Sequence, residues 1–177
     1  MRNAMSRPPG SRHILMDAFG STDVSFCSMD NITIRRATSA DIDAVATLFD
    51  SYRVFYGNKS DLNAARSFLT ERVRRSESVV FIAHDDGTPA GFTQLYPSFS
   101  SVSIAPIYIL NDLYVDAVHR RRGIGALLLS FAVQFAKAEG AVRLMLTTAY
   151  DNLTAQRLYE AEGWVRDEHY FTYNFVL

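Results

Sequence analysis

The spacing of apolar and polar residues along the chain changes between a period of two and a period near 3.6. This change predicts a succession of strands and helices. Apolar or alternating runs predict strands at 32–35, 78–84, 90–96, 107–115, 142–147 and 170–176. Helical spacing predicts amphipathic helices over 42–57, 62–73, 124–139 and 152–162. The order of these elements is typical of a mixed α/β sheet with helices on both faces.

Residues with turn and cap chemistry lie at the expected boundaries. The stretch 38–41 is typical of a helix N-terminus, with Asp41 placed to meet the free NH groups of the first turn. Ser60 predicts the cap of the second helix, and Gly140 predicts the end of the third. The stretch 85–88, Asp-Asp-Gly-Thr, predicts a hairpin turn.

Composition narrows the class of protein. The chain has 177 residues and 48% hydrophobic residues, which suits one globular domain with a substantial core. A net charge of −1 argues against a nucleic-acid partner, and Cys27, the only cysteine, excludes an intramolecular disulfide. No apolar run approaches the roughly 20 residues of a membrane span. We therefore expect a cytoplasmic protein with no membrane partner.

The first thirty residues differ from the rest of the chain. Residues 1–30 show no steady periodicity and contain the stretch Pro8-Pro9-Gly10. This pattern predicts a flexible N-terminal extension, followed by a single domain over 31–177. Either a passive or a partner-binding tail fits the pattern.

A basic, glycine-containing turn follows the longest apolar strand and precedes the third helix. The turn carries three consecutive arginines and then Gly123 and Gly125. Glycine permits unusual backbone dihedrals and a close approach to a ligand, and the first NH groups of a helix have no partner within it. Arginine adds positive charge beside those donors, which suits a pyrophosphate. The alternative is an exposed basic turn whose glycines only permit a tight bend.

Two stretches resemble the signatures of the GNAT superfamily of N-acetyltransferases. Asp112-Leu113-Tyr114-Val115 followed by Arg120-x-x-Gly123-x-Gly125 resembles its acetyl-CoA-binding motif. The stretch 152–164 resembles its second signature, in which Asn, Ala, Tyr, Gly and an aromatic residue recur. The resemblance extends over 32–177. It implies a GNAT-like fold, with a mixed, mostly antiparallel central sheet flanked by helices and splayed central strands that form the CoA cleft.

The same resemblance implies acetyl-CoA as co-substrate, no metal, and a role for each matching residue. Main-chain groups around Leu113, Tyr114 and Val115 would hold the pantetheine arm, and Asn152 and Ala155 would line its far side. Tyr159 would lie near the sulfur. The pyrophosphate would lie against Arg120, Arg121, Arg122, Gly123, Ile124, Gly125 and Ala126.

Two side chains are candidate catalytic residues. A tyrosine titrates near pH 10 and a thiol near about 8.5, so neutral Tyr159 could protonate the departing CoA thiolate, or it could be a packed aromatic residue. A protonated amine must lose a proton before it attacks. Asp112 could attract that amine, relay its proton through water, or only order the strand end. Tyr52 and Tyr56, with Asp112, are candidates for the acceptor pocket, although aromatic residues at helical spacing also form cores.

The leading hypothesis is an N-acetyltransferase that moves an acetyl group from acetyl-CoA to a primary amine of a small molecule or peptide. The amine would attack directly in a ternary complex, because Cys27 lies in the leading extension and is a poor candidate nucleophile. The alternative is a non-catalytic acyl-CoA-binding sensor, which would have no use for an acid such as Tyr159. The alternating segment 170–176 could also pair across a homodimer.

Overall fold

A computed structural model describes residues 25–27 and 31–177. In this part of the chain the strands form a sheet in which β1 to β6 follow chain order. Neighbouring strands are antiparallel except for β5 and β6, which are parallel. The strands are β1 (Ser25–Cys27), β2 (Ile32–Arg36), β3 (Val79–Asp85), β4 (Thr88–Ser100), β5 (Ala105–Val115) and β6 (Leu144–Met145). The predicted mixed, mostly antiparallel fold is thereby confirmed.

The predicted N-terminal extension contributes β1, whose main chain pairs with β2. The rest of the extension, residues 1–24 and 28–30, lies outside the described residues. The predicted domain boundary after residue 30 stays a prediction.

Helices cover both faces of the sheet and form two apolar clusters with it in the described part of the chain. On one face, α1 and α2 bury Val45, Leu48 and Leu69 against Ile82 and Phe92 of the sheet. On the other face, α3 packs an apolar stripe against the sheet, and residues from α4 join this cluster. The helices are α1 (Ile42–Phe55), α2 (Leu62–Arg74), α3 (Ile124–Ala138) and α4 (Leu153–Ala161). In the described part of the chain, no helix has the length and apolar character of a membrane span.

Side chains cap the N-termini of the first two helices, and the cap of α2 differs from the prediction. Thr38 and Asp41 form a reciprocal capping box before α1, as the sequence pattern predicts. Asp61, not Ser60, caps α2 and accepts a hydrogen bond from the NH of Ala64 at 2.9 Å. Ser60 instead donates its hydroxyl to the buried carboxylate of Asp50 at 2.5 Å. The carboxylate of Asp61 is the stronger acceptor and lies one residue closer to the helix.

β5 and β6 separate toward the carboxyl end of β5. The register of β4 and β5 pairs Leu95 with Leu110 but Gln94 with Asp112, which leaves Asn111 as an extra residue in a β-bulge. A bulge bends its strand and increases its twist. β6 pairs with β5 only at Tyr108 and Ile109. Among the described residues, the outer edge of β5 beyond Ile109 is therefore left without a strand partner.

Two predicted strands differ in the structure. The strand predicted over 142–147 is limited to the two residues of β6, and the segment 170–176 forms no strand. The aromatic side chains of that segment are exposed, including Tyr170, Phe171, Tyr173 and Phe175. Alternation alone does not form a strand, since a strand needs a neighbouring edge that accepts its main-chain hydrogen bonds. The homodimer expected from this segment stays a prediction.

Candidate active site

The basic turn leads directly into the open N-terminus of α3. Gly123 is the N-cap residue with a φ of 80°, in the left-handed region, and it offers no side chain to the helix. The free NH groups of the first turn are therefore not capped by a side chain, and the positive end of a 15-residue helix faces the turn. Arg121 also has a positive φ, 62°. This arrangement can bind an anion such as a phosphate.

The three arginines of the turn have different surroundings. Arg120 Nε donates to the carbonyl of Val115 at 3.0 Å, and its guanidinium lies 5.7 Å from the ring centres of Phe55 and Tyr114. Arg122 donates to the carboxylate of Asp85. Of the three, Arg121 alone makes no side-chain hydrogen bond, ion pair or ring contact with the described residues. Within the described residues, the turn therefore offers one cation, Arg121, without a side-chain partner beside the helix N-terminus.

The open edge of β5 offers main-chain groups to an extended ligand. The NH of Asp116 donates to the carbonyl of Ala90 in β4 at 2.9 Å, so the main chain of Asp116 faces β4. Successive residues of a strand point their main-chain groups to opposite edges. Those of Leu113 and Val115 therefore face away from β4, into the space that β6 does not fill. The Tyr114 side chain lies on the α1 face, against Tyr52.

A close approach of β4 and β5 sets the shape of this edge. A Cβ added to Gly91 would lie 2.7 Å from the carbonyl oxygen of Tyr114 and 3.3 Å from the Cα of Val115. Both atoms belong to the main chain and cannot rotate away. Any larger residue at position 91 would push β5 outward, so glycine is needed here for packing.

A buried polar cluster lies beside the bulge. Asp112 is 3% exposed, and its carboxylate accepts hydrogen bonds from Gln94 Nε2 at 2.7 Å and from Asn111 Nδ2 at 3.1 Å. The same Gln94 amide donates to the hydroxyl of Tyr96 at 3.0 Å. Burial raises the pKa of Asp112 above its ordinary value, although the hydrogen bonds from Gln94, Tyr52 and Asn111 oppose the shift. Burial, with Asp112 nearby, also raises the pKa of Tyr96 to about 12.

Tyrosines from two helices converge on this cluster. Tyr52 and Tyr56 lie near the end of α1 with their ring centres 5.0 Å apart. The pKa of Tyr52 is raised first by burial, then by the charge of Asp112, with Tyr56 and Tyr159 as smaller causes. The pKa of Tyr159 in α4 is raised by burial and then by Tyr56. The phenols of Tyr52 and Tyr159 are therefore neutral at pH 7 and can donate a proton or a hydrogen bond.

The packing of Tyr159 also agrees with the alternative that it is a structural aromatic residue. Its ring centre lies 6.3 Å from that of Trp164, and the side chain packs against the apolar cluster beneath α3. Packing of the ring leaves the role of the hydroxyl open, because a tyrosine can bury its ring and present its polar tip elsewhere.

The side chains of several residues predicted to bind the cofactor have structural roles. Asn152 caps α4 by accepting a hydrogen bond from the NH of Ala155 at 3.3 Å. The side chains of Ile124 and Ala126 are buried in the core, so only their main-chain atoms could meet a ligand. Gly125 lies where a Cβ would come 3.1 Å from Leu158 of α4, which joins the two signature segments in space.

Sequence reasoning missed three residues near these sites: Asp85, Gln94 and Tyr96. None belongs to either signature, and Asp85 and Gln94 lie on strands distant in sequence from the charged residues that they contact. A polar residue in an otherwise apolar strand was the available signal for Gln94. In residues 31–177 no group of three His, Cys, Asp or Glu side chains could hold a metal.

The family model for the Acetyltransferase (GNAT) family matches residues 43–164. The chain belongs to this family. It is 46% identical over 142 residues to an uncharacterized N-acetyltransferase, YhfO, of Bacillus subtilis, covering 80% of this chain and 95% of that protein. The crystal structure of a probable acetyltransferase superposes with a TM-score of 0.78 at 42% identity, covering 81% of this chain and 97% of that chain.

A more distant solved structure has the same fold. An aminoglycoside N-acetyltransferase, AAC(6')-Iy, in complex with CoA has a TM-score of 0.69 and 19% identity, covering 81% of this chain and 94% of that chain. The predicted recognition and the class of enzyme, an N-acetyltransferase, are thereby confirmed. The individual site residues stay predictions.

Proposed function

We propose that this GNAT protein transfers the acetyl group of acetyl-CoA to a primary amine by direct attack in a ternary complex. The amine belongs to a small molecule or to a peptide. The observation that supports the proposal is the open edge of β5 beside the N-terminus of α3, where the main-chain groups of Leu113 and Val115 face away from β4. The candidate base Asp112 and, more weakly, the candidate acid Tyr159 both interact electrostatically with Tyr52.

The basic turn and the edge of β5 fit acetyl-CoA. The N-terminus of α3 and Arg121, which has no side-chain partner among the described residues, would hold the pyrophosphate. Main-chain groups of Leu113 and Val115 would hold the pantetheine arm. Bound acetyl-CoA supplies an activated thioester carbonyl, which accepts the amine and releases a thiol. A main-chain NH directed at a developing oxyanion contributes about 3 kcal/mol in comparable sites.

Asp112 would accept a proton from the amine, and Tyr159 would donate one to the leaving thiolate. An ammonium group near the cluster loses a proton to Asp112, directly or through water, and the raised pKa of Asp112 makes it a stronger base than an exposed carboxylate. The neutral Tyr159 hydroxyl then donates to the departing sulfur. Tyr52 and Tyr56 line the approach of the amine, where aromatic faces favour a cation.

The proposal is tested by thiol release from acetyl-CoA across a panel of polyamines, amino acids, aminoglycosides and short peptides. We expect release with one class of primary amine. Tyr159→Phe should lower turnover by about 10²-fold or more while acetyl-CoA affinity stays within about twofold. Tyr173→Phe, an exposed tyrosine far along the chain, is the matched control. Tight acetyl-CoA binding without release from any amine would favour the sensor instead.

A further inference from the structure

One buried carboxylate joins both ends of the basic turn. The Asp85 side chain is 1% exposed at the end of β3, far in sequence from the turn. Its Oδ2 atom lies 2.8 Å from His119 Nδ1 and accepts a hydrogen bond from the guanidinium of Arg122. The turn is therefore attached to the sheet at two points, on either side of Arg120 and Arg121.

Asp85 is held more firmly than the turn that it contacts. Its main chain pairs with Ile32 on one side and with Thr88 on the other, and the next residue, Asp86, donates its NH to the carbonyl of Asn31 at 3.1 Å. The turn, in contrast, contains Arg121 and Gly123 with positive φ values of 62° and 80°. A left-handed non-glycine residue costs on the order of 1–3 kcal/mol and persists only where its surroundings hold it.

The second oxygen of the same carboxylate is unusual. Asp85 Oδ1 is buried without a hydrogen-bond partner in the described part of the chain. Leaving a buried acceptor unpaired is unfavourable, and such groups in folded proteins call for an explanation. Here Oδ2 is directed at two donors of the turn. The orientation of the carboxylate therefore satisfies the contacts of Oδ2 with the turn, while Oδ1 has no hydrogen-bond partner among the described residues.

We propose that Asp85 is a positioning residue for acetyl-CoA binding. By holding His119 and Arg122 it fixes the main chain that presents the first NH groups of α3, and it neutralises Arg122 so that Arg121 meets the pyrophosphate. The proposal rests on the function proposed above. It assigns different roles to three adjacent arginines, of which Arg122 acts on the protein and not on the ligand.

The test compares Asp85→Asn with Asp86→Asn, an exposed neighbour that undergoes the same change of charge. Loss of a hydrogen bond to a charged group changes a binding equilibrium by about ten- to a hundredfold. We therefore expect Asp85→Asn to raise the KM and the Kd for acetyl-CoA about ten- to a hundredfold, with kcat at saturation within about twofold. Asp86→Asn should leave all three near wild type. Binding is measured by calorimetry with acetyl-CoA and, separately, with CoA.

A second variant removes Arg122, the exposed partner of the Asp85–Arg122 contact. Arg122 is 45% exposed, so Arg122→Gln should fold, and it should weaken acetyl-CoA binding less than Asp85→Asn does, because His119 still contacts Asp85. The double variant should be little weaker than Asp85→Asn alone, because Asp85→Asn already disturbs the contact that Arg122→Gln removes. Arg121→Gln should instead add its effect to that of Asp85→Asn.

The outcomes separate this proposal from the proposed function. Wild-type binding of acetyl-CoA with an unchanged KM in Asp85→Asn overturns the positioning role and leaves the function intact. Additive effects of Asp85→Asn and Arg122→Gln also overturn it, as does a parallel loss of kcat and melting temperature. If the wild-type protein binds neither acetyl-CoA nor CoA, both proposals are wrong.

Discussion

Replacement of Asp112 by asparagine would remove one buried charge while keeping the shape of the side chain. The asparagine oxygen can still accept from Gln94 Nε2, now 2.7 Å from Asp112 Oδ2. Asn111, whose side chain is exposed, can turn its amide to offer an oxygen to the new NH₂ group. The hydroxyl of Tyr52, which also donates to Asp112, can share the asparagine oxygen, so the variant keeps the hydrogen bonds of the cluster and loses only the base. General acid–base catalysis contributes about 10²- to 10⁴-fold, and we expect kcat to fall by that amount.

The same variant should be at least as stable as the wild-type protein. Burial raises the pKa of folded Asp112 above its unfolded value, so the folded state binds the proton more tightly. Wild-type stability therefore falls as pH rises from the unfolded pKa through the raised folded pKa, and then levels off. A folded pKa that lies one pH unit above the unfolded pKa corresponds to about 1.4 kcal/mol of lost stability. In a domain of this size, each kcal/mol corresponds to about 2–4 °C in melting temperature.

The assay is thiol release against pH with the best amine of the panel, together with thermal unfolding over the same pH range. The wild-type kcat/KM should rise with pH through a limb above the ordinary carboxylate range, and that limb should be absent in Asp112→Asn. Asp43→Asn, which removes an exposed carboxylate from α1, is the control. Turnover that survives in Asp112→Asn would refute the base assignment. A large fall in melting temperature would show that Asp112 is needed for packing.

Two further predictions concern the turn and the first helix. Gly123→Val should weaken acetyl-CoA binding and lower the free energy of unfolding by about 1–3 kcal/mol, because φ is 80° at this position. Gly140→Val is the control: φ is 72° there, at the end of α3, so this variant should lose similar stability but no acetyl-CoA affinity. Equal affinities in these two variants would contradict the pyrophosphate site. Asp41 has a pKa held well below its usual range, first by the hydrogen bond from Arg35, so wild-type stability should fall below about pH 4. Asp41→Asn should reduce that fall in acid unfolding curves, although Asp50, whose pKa is also lowered, keeps part of it; an unchanged acid limb would contradict the assignment.

The sequence alone determined the periodic elements and the family. Amphipathic spacing predicted α1 to α4, because the period of apolar residues depends only on residues that are close together in the sequence. The turn at Gly123 and the signature around Tyr159 were visible for the same reason: each places its groups within a few residues. The Thr38–Asp41 capping box is also local.

The tertiary structure decided which distant residues share a site. Asp85 contacts His119 and Arg122, and Gln94 contacts Asp112, only because β3, β4 and β5 are neighbours in the sheet. Strand register depends on pairing between segments far apart in the chain, and a pattern of alternation does not encode it.

The same reason explains the elements that the pattern misjudged. The segment 170–176 alternates as a strand should, yet it has no strand partner among the described residues and stays exposed. The bulge at Asn111 places Asp112 on the α1 face and opens the edge of β5. No local sequence pattern predicts this bulge. Local sequence thus determined the elements and the family, whereas sheet pairing decided the shape of the cleft and the partners of its charged groups.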